Sequence, residues 1–258
     1  MFTLAGNFVR LEIWGVICVL AICSVASLMR WLTIGGAIAA ACVGYAAWSY
    51  GGFALALCLV TFFACSSALT FLGKPRGDTR PSSARNAVQV LCNGGAATAF
   101  CIFGLVSHDS RCWFAAAACY ACANSDTWAT EIGRMSNGRV VRATNFARTS
   151  IGASGGVSLR GTFAAACGSL LIALVAMAAH RMTTQSAALI AIIGFVGCLL
   201  DSVLGDLFQP HFRNGEQVFD DEQVGSNRSY GLSLLNNHAV NLLSTTAAGV
   251  LGYFFAAA

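Results

Sequence analysis

Two segments of this chain repeat one arrangement of acids. Asn124-Ser125-Asp126-Thr127-Trp128-Ala129-Thr130-Glu131 and Asp201-Ser202-Val203-Leu204-Gly205-Asp206 each read acid, hydroxyl, three residues, acid. Each closes an apolar run of about 20 residues, long enough to cross a bilayer as a helix. An ionisable group in such a run costs about 2.5–3.5 kcal/mol on insertion scales, so it points to function by default. Acids five positions apart lie about 140° apart around a helix, and one helix cannot aim both at a single point. Two helices sharing a site can. Carboxylates from two helices, with Asn124 nearby, form an oxygen cage suited to magnesium, Mg2+. Asp126, Asp201 and Glu131 are therefore the candidate metal ligands and catalytic residues, with Asp206 a weaker candidate. The other reading of these acids is pairing with loop arginines, or simply marking helix ends.

A second stretch, Gly152-Ala153-Ser154-Gly155-Gly156-Val157-Ser158-Leu159-Arg160-Gly161, runs directly into another apolar segment. Free N–H groups and the positive end of the helix dipole make a helix start an anion site. Ser154 or Ser158 can cap it. Gly155 and Gly156 let the backbone approach a phosphate, and Arg148 and Arg160 supply positive charge. No GK[ST] follows, so this is not a P-loop. A flexible loop is the competing reading. Amides form a third feature. Asn86, Gln89 and Asn93 share one helical face, and Asn237 and Asn241 are one turn apart. At the depth of the acid clusters they suit a shared polar site, although interhelical glue is the alternative. Among the histidines, His108, His180 and His211 read as loop residues, and His238 falls within an asparagine cluster.

These residues need a scaffold, and the composition names its class. The chain of 258 residues is 57% hydrophobic and only 10% charged, with a mean hydropathy of +0.68. A soluble domain carries about 25% charged residues. A soluble globule, a disordered tail and a coiled coil are excluded. The length of the apolar runs also excludes a transmembrane β-barrel. The expected fold is all-α, a single polytopic membrane helix bundle of about eight spans (7–9). They fall roughly at 11–29, 32–50, 52–72, 86–106, 112–131, 157–179, 186–206 and 238–257, the second and third divided by a tight turn at Trp48-Ser49-Tyr50-Gly51-Gly52. With the N-terminus outside, 12 basic residues fall on the inner side and only Arg10, Arg111 and Arg181 outside. This positive-inside bias predicts both termini on the non-cytosolic side and a polar site at the cytosolic face, where the long loops also lie. The 12 cysteines sit in or beside apolar runs and read as packing thiols. A net charge of +4 without a basic, aromatic-laced patch argues against nucleic acid as a partner. The partner is the lipid bilayer, and the run Asp220-Asp221-Glu222 reads as a solvated acidic loop.

Taken together, RNAVQVLCNGG, NSDTWATEIG, GASGGVSLRGT, LLDSVLGDLFQ and LLNNHAVNLLS resemble the transmembrane protein 19 family, which includes phytyl-phosphate kinase. The resemblance runs in order over roughly residues 30 to 250. It implies an isoprenoid-metabolism transferase, a kinase moving a phosphoryl group from a nucleoside triphosphate to an isoprenyl monophosphate. It also implies an endoplasmic reticulum or plastid membrane. The chain departs from the family pattern at Arg148-Thr149-Ser150-Ile151, at Asn236 and at Asp206.

The resemblance and the residues converge on one expectation. Asp126, Asp201 and Glu131 hold Mg2+ and the nucleoside triphosphate. Arg85, Asn86, Asn93, Asn124, Ser154, Gly155, Gly156, Ser158, Asn237 and Asn241 bind phosphate and the prenyl-phosphate lipid substrate. The alternatives are a transporter or lipid scramblase, a non-catalytic membrane protein, and another enzyme of phosphorylated lipids.

Overall fold

A computed structural model describes residues 2–73, 84–135, 138–180, 182–214, 217–219 and 227–256. Lys74, Arg76, Arg80, Arg181 and the Asp220-Asp221-Glu222 run lie outside the described residues. The described residues form seven helices: α1 (Phe2–Leu28), α2 (Ile34–Leu72), α3 (Ala87–Ser107), α4 (Arg111–Arg134), α5 (Leu159–His180), α6 (Thr184–Phe208) and α7 (Asn237–Phe255). The termini of these helices follow local chemistry. Thr33, Asn86, Thr183 and Asn236 each accept a backbone N–H at a helix start, and Asn86 with Gln89 forms a full capping box.

The eight expected spans are not what the helices give. Among the described residues four helices, α2, α3, α5 and α6, are long and apolar enough to cross a membrane, and the apolar part of α1, Glu12–Leu28, is shorter. One reason is α2, whose 39 residues merge the expected second and third segments across Gly52, at φ 60°. The midpoint of α2 sits at one end of the bundle, where Tyr50 donates to the Asp109 carbonyl at 2.5 Å and Trp113 to the Gly51 carbonyl at 3.4 Å. The segments on either side of it come back together, the ring of Trp31, just ahead of α2, lying 6.1 Å from that of Phe63 in its second half. The element therefore doubles back on itself at Gly52, whose non-helical backbone divides it into two helical halves.

The other reason is α4. From Cys112 to Ser125 every residue of it is buried, because α2, α3, α5, α6 and α7 surround it. A central helix meets protein on all sides and needs no lipid-compatible face. Its alanines and cysteines instead let neighbours approach. Gly194 packs on Ala121, Gly197 on Cys122, and Gly252 on Ala115 and Ala118, the small-residue packing that holds membrane bundles together. All 12 cysteines are free, and Cys119 donates weakly to the Thr245 carbonyl at 3.2 Å. Large apolar side chains such as Ile38, Phe53, Phe163, Ile192 and Phe254 are exposed on the outer helices, as a lipid-facing surface requires.

The all-α expectation misses two small sheets, both in the long loops. β1 (Val141–Arg142) pairs antiparallel with β2 (Gly156–Val157). β3 (His211–Asn214) lies between β4 (Gln217–Phe219) and β5 (Asn227–Tyr230). These strands are shorter than the alternation that would mark them in sequence. His211, expected in a loop, is 2% exposed in β3 with its ring against Tyr230.

Candidate functional site: an acidic cleft beside an apolar groove

The last turns of α4 carry polar side chains on two different faces. Asp126, Thr130 and Arg134 recur every four residues and line a cleft of about 110 Å³ between α4, α5 and α6. Thr127 and Glu131 recur on a second face. Glu131 accepts a hydrogen bond from Thr70 of α2 at 2.7 Å, and Thr127 lines a separate groove. The spacing of Asp126 and Glu131 thus has the consequence helix geometry demands. Asp126 meets Asp201 in the cleft, and Glu131 does not join them.

Asp201 is 8% exposed and accepts from Ser244 of α7 at 2.8 Å. Asp126 is near enough for its charge to act on Asp201, and Arg134 acts on Asp126 in turn. Among the described residues neither Asp126 nor Asp201 forms an ion pair. Asn241 stands between Asn93 and Asp201. One end of its amide is 3.3 Å from Asn93 Oδ1, and the other is 3.3 Å from Asp201 Oδ2 and 2.9 Å from the Asn237 carbonyl. Its nitrogen is best satisfied facing the latter two acceptors. Asn237, the first residue of α7, lines the cleft.

The opposite wall is the glycine-rich turn, held in place by Asp206. The buried Asp206 carboxylate pairs with Arg142 at 2.5 Å and accepts from the Thr144 N–H at 3.0 Å and hydroxyl at 2.5 Å. Arg142 also bonds the Tyr230 hydroxyl. The Ala143 N–H donates to the Gly155 carbonyl at 2.9 Å. Gly155, at φ 69°, lies so close to α6 that a Cβ there would sit 2.5 Å from the Asp206 backbone. Only glycine supplies both the positive φ and the room. The turn leads into α5, where the Ser158 hydroxyl accepts the Gly161 N–H at 3.1 Å and so caps the helix. Ser154, Gly155, Gly156 and Ser158 all line the cleft. Its chemistry is two carboxylates facing a glycine turn, a helix N-terminus and the Arg134 guanidinium.

Other expected site residues lie elsewhere. Asn124 is buried between α4 and α5, its amide donating to the Gly168 carbonyl at 2.7 Å. Its neighbour Ser125 donates to the Ala165 carbonyl at 2.8 Å. Asn86 caps α3. Arg148 and Arg160 are exposed and do not line the cleft. Arg134, Thr130 and Ser202 do line it, and the sequence reading passes over them. For Arg134 the signal was present in the four-residue recurrence from Asp126.

Arg85 and Asn93 belong to the groove, a space of about 110 Å³ between α1, α2 and α3. Arg85 is fixed by its backbone, which donates to the Trp31 carbonyl at 2.9 Å and accepts from the Thr33 N–H at 3.1 Å. Its guanidinium donates to Ser67 at 3.1 Å and lies 5.5 Å from the Phe63 ring centroid. Burial pushes it below the ordinary arginine value, with the Glu131 charge opposing.

Comparison with known proteins decides the family. Residues 17–249 match the integral membrane protein family DUF92. The chain belongs to that family. Among curated DUF92-like relatives, Protein PGR of Arabidopsis thaliana is 29% identical over 228 residues, covering 75% of this chain and 78% of that protein. An uncharacterized membrane protein of Methanocaldococcus jannaschii is 28% identical over 259 residues, covering 98% of this chain and 95% of that protein. No solved structure matches. The chain is thus an integral, multi-pass membrane protein of the DUF92 family.

The donor set of the cleft suits Mg2+. Two carboxylates alone would repel a phosphate, yet the facing wall is built for an anion. Mg2+ takes one or two carboxylates and fills its remaining positions with water and substrate phosphate. Asp126 and Asp201 meet that requirement. Among the described residues no group of three His, Cys, Asp or Glu side chains converges.

Proposed function

We propose that this DUF92 protein is a prenyl-phosphate kinase, transferring the terminal phosphoryl group of a nucleoside triphosphate to an isoprenyl monophosphate. The observation that carries this reading is the pair of carboxylates, Asp126 and Asp201, which form no ion pair among the described residues and face a glycine turn that Asp206 clamps against α6. Asp126 and Asp201 would hold Mg2+, which when bound neutralises charge on the phosphates. The 152–156 turn and the first turn of α5 receive nucleotide phosphates through backbone N–H groups. Arg134 adds charge at the open side of the acid pair. An oxygen of the acceptor monophosphate attacks the terminal phosphorus, the bond to the nucleoside diphosphate breaks, and a prenyl diphosphate is formed. The attacking oxygen is already ionised, so the chain needs to supply position and charge and no strong base.

The resemblance to the transmembrane protein 19 family supports this substrate class. A scaffold would neutralise its buried acids, as Asp206 is neutralised by Arg142. Asp126 and Asp201 differ in that respect, which favours an enzyme. The proposal includes eight passes, counting the two halves of α2 separately, both termini on the non-cytosolic side, and an endomembrane or plastid membrane. The test is incubation of purified protein with Mg2+, labelled nucleoside triphosphates and a panel of prenyl monophosphates. Labelled prenyl diphosphate is the expected product. Its absence across the panel would reject the reading.

A further inference from the structure

We infer that the groove between α1, α2 and α3 is the tail site for a single-chain anionic amphiphile, with Arg85 holding the phosphate headgroup. The inference rests on the kinase reading for the identity of the amphiphile, but its geometry is independent of the acidic cleft.

The groove is lined mostly by apolar side chains, with one charge. Val19 and Ile22 of α1, Val43 and Val60 of α2 and Val90 of α3 are among its walls. Arg85, Gln89, Asn93 and Thr127 are its polar lining. This is the pattern of an amphiphile, one charge beside a strip of hydrocarbon. The charge is positive. Among the described residues Arg85 has no ion-pair partner within contact distance, although the Glu131 charge acts on it, and its hydrogen bond goes to the neutral Ser67 hydroxyl. An arginine fork is matched to phosphate oxygens. The far side of the groove reaches the lipid, because Ile22 at its edge is 41% exposed. Helix α1 packs chiefly on α2, with Gly15 under the Trp48 ring and Val19 against Gly44. It is a side wall leaning on the bundle and not part of its core.

The volume limits what is held. About 110 Å³ is less than the ~150 Å³ of a cavity that takes one benzene. The groove therefore grips the tail segment nearest the headgroup, and the remainder lies in the bilayer. That predicts loose selection by chain length and strong selection for a headgroup. The headgroup end also reaches the cleft. Asn93 lines the groove and leads through Asn241 to Asp201. Thr127 and Asp126, consecutive on α4, line groove and cleft respectively.

The experiment uses purified full-length protein in nanodiscs and farnesyl monophosphate carrying a diazirine near its headgroup, without nucleotide. Crosslinked peptides from α1, the walls of α2 or α3 are expected, with competition by unlabelled farnesyl monophosphate and none by farnesol or inorganic phosphate. Arg85→Gln should weaken binding by ~10–100-fold, the loss of a charge-assisted pair. Val60→Trp should weaken it comparably while leaving the folded yield unchanged. Asp109→Asn, at the far end of the bundle, should bind as the unaltered chain does. Crosslinks confined to other surfaces, equal competition by farnesol, or no specific binding would overturn the inference. Because the unaltered chain carries the crosslinking result, a variant that misfolds cannot obscure it. Binding without phosphoryl transfer would reject the kinase reading alone.

Discussion

The acidic cleft and the apolar groove lie on either side of one helix, and they differ in how their charges are treated. In the cleft, Asp126 and Asp201 form no ion pair among the described residues, with the Arg134 charge acting on Asp126, while a third acid, Asp206, is paired with Arg142. In the groove, a half-buried cation rests on a hydroxyl and a ring, with the Glu131 charge acting on it. Charges held away from water are expensive unless they are paired, which makes each a candidate for a ligand of opposite sign. One side suits a metal and polyphosphate, the other a lipid phosphate. The difference teaches that α4 is a partition, with Asp126, Thr130 and Arg134 on one face and Thr127 and Glu131 on the other.

Substitutions should separate the two sides, and the largest effect belongs to the cleft. Asp126→Asn or Asp201→Asn should lower kcat for phosphoryl transfer by at least ~100-fold, since each removes charge that positions the metal. The KM for prenyl phosphate should barely change. Next comes the clamp. Asp206→Asn leaves Arg142 half of a broken buried pair, at about 3 kcal/mol of stability. Thermal unfolding in detergent should report it, with transfer falling as the turn loosens. Third, Arg85→Gln should raise the KM for prenyl phosphate by ~10-fold at nearly constant kcat, the signature of lost binding. Glu131→Gln sharpens the partition most. If it faces the groove side alone, transfer falls less than ~3-fold and stability shifts by about 1 kcal/mol, the worth of its bond to Thr70. A loss as large as that of Asp126→Asn would put Glu131 in the metal site after all.

The smallest effect is expected at the far end of the bundle. Asp109 is held well below the usual carboxylate range, first by its hydrogen bond from Arg111 and then by that from Tyr253. A depressed acid contributes stability above its unfolded value, near 3.9, and loses it as pH falls through the lower folded value. Asp109→Asn should leave transfer unchanged and flatten only the acid limb of a stability profile measured below about pH 4.

Much of this was legible in the residues. Apolar runs located the helices, the repeated acid motif drew attention to Asp126 and Asp201, and the glycines before α5 marked the turn. Helix geometry sets Glu131 about 140° from Asp126, yet the residue types still put Glu131 in the expected metal set. What stayed hidden depends on which helices meet. Nothing in the order of residues says that Asp206 would find Arg142, 64 positions earlier, and become a clamp. Nor does it say that Asn124 would be consumed by the Gly168 carbonyl, or that Arg85 would face the groove. The hairpin in α2 was visible as Gly51-Gly52, and the backbone leaves the helical region at Gly52 as that turn requires. Helix α4 escaped the hydropathy rule because its neighbours replace lipid.

The central claim is that Asp126 and Asp201 form a metal-dependent phosphoryl-transfer site which the groove feeds. The most direct measurement is the initial rate of label transfer to prenyl monophosphate by purified Asp126→Asn protein against the unaltered chain, at saturating Mg2+. The account predicts a loss of at least ~100-fold with amphiphile binding intact. Transfer at the unaltered rate would contradict it.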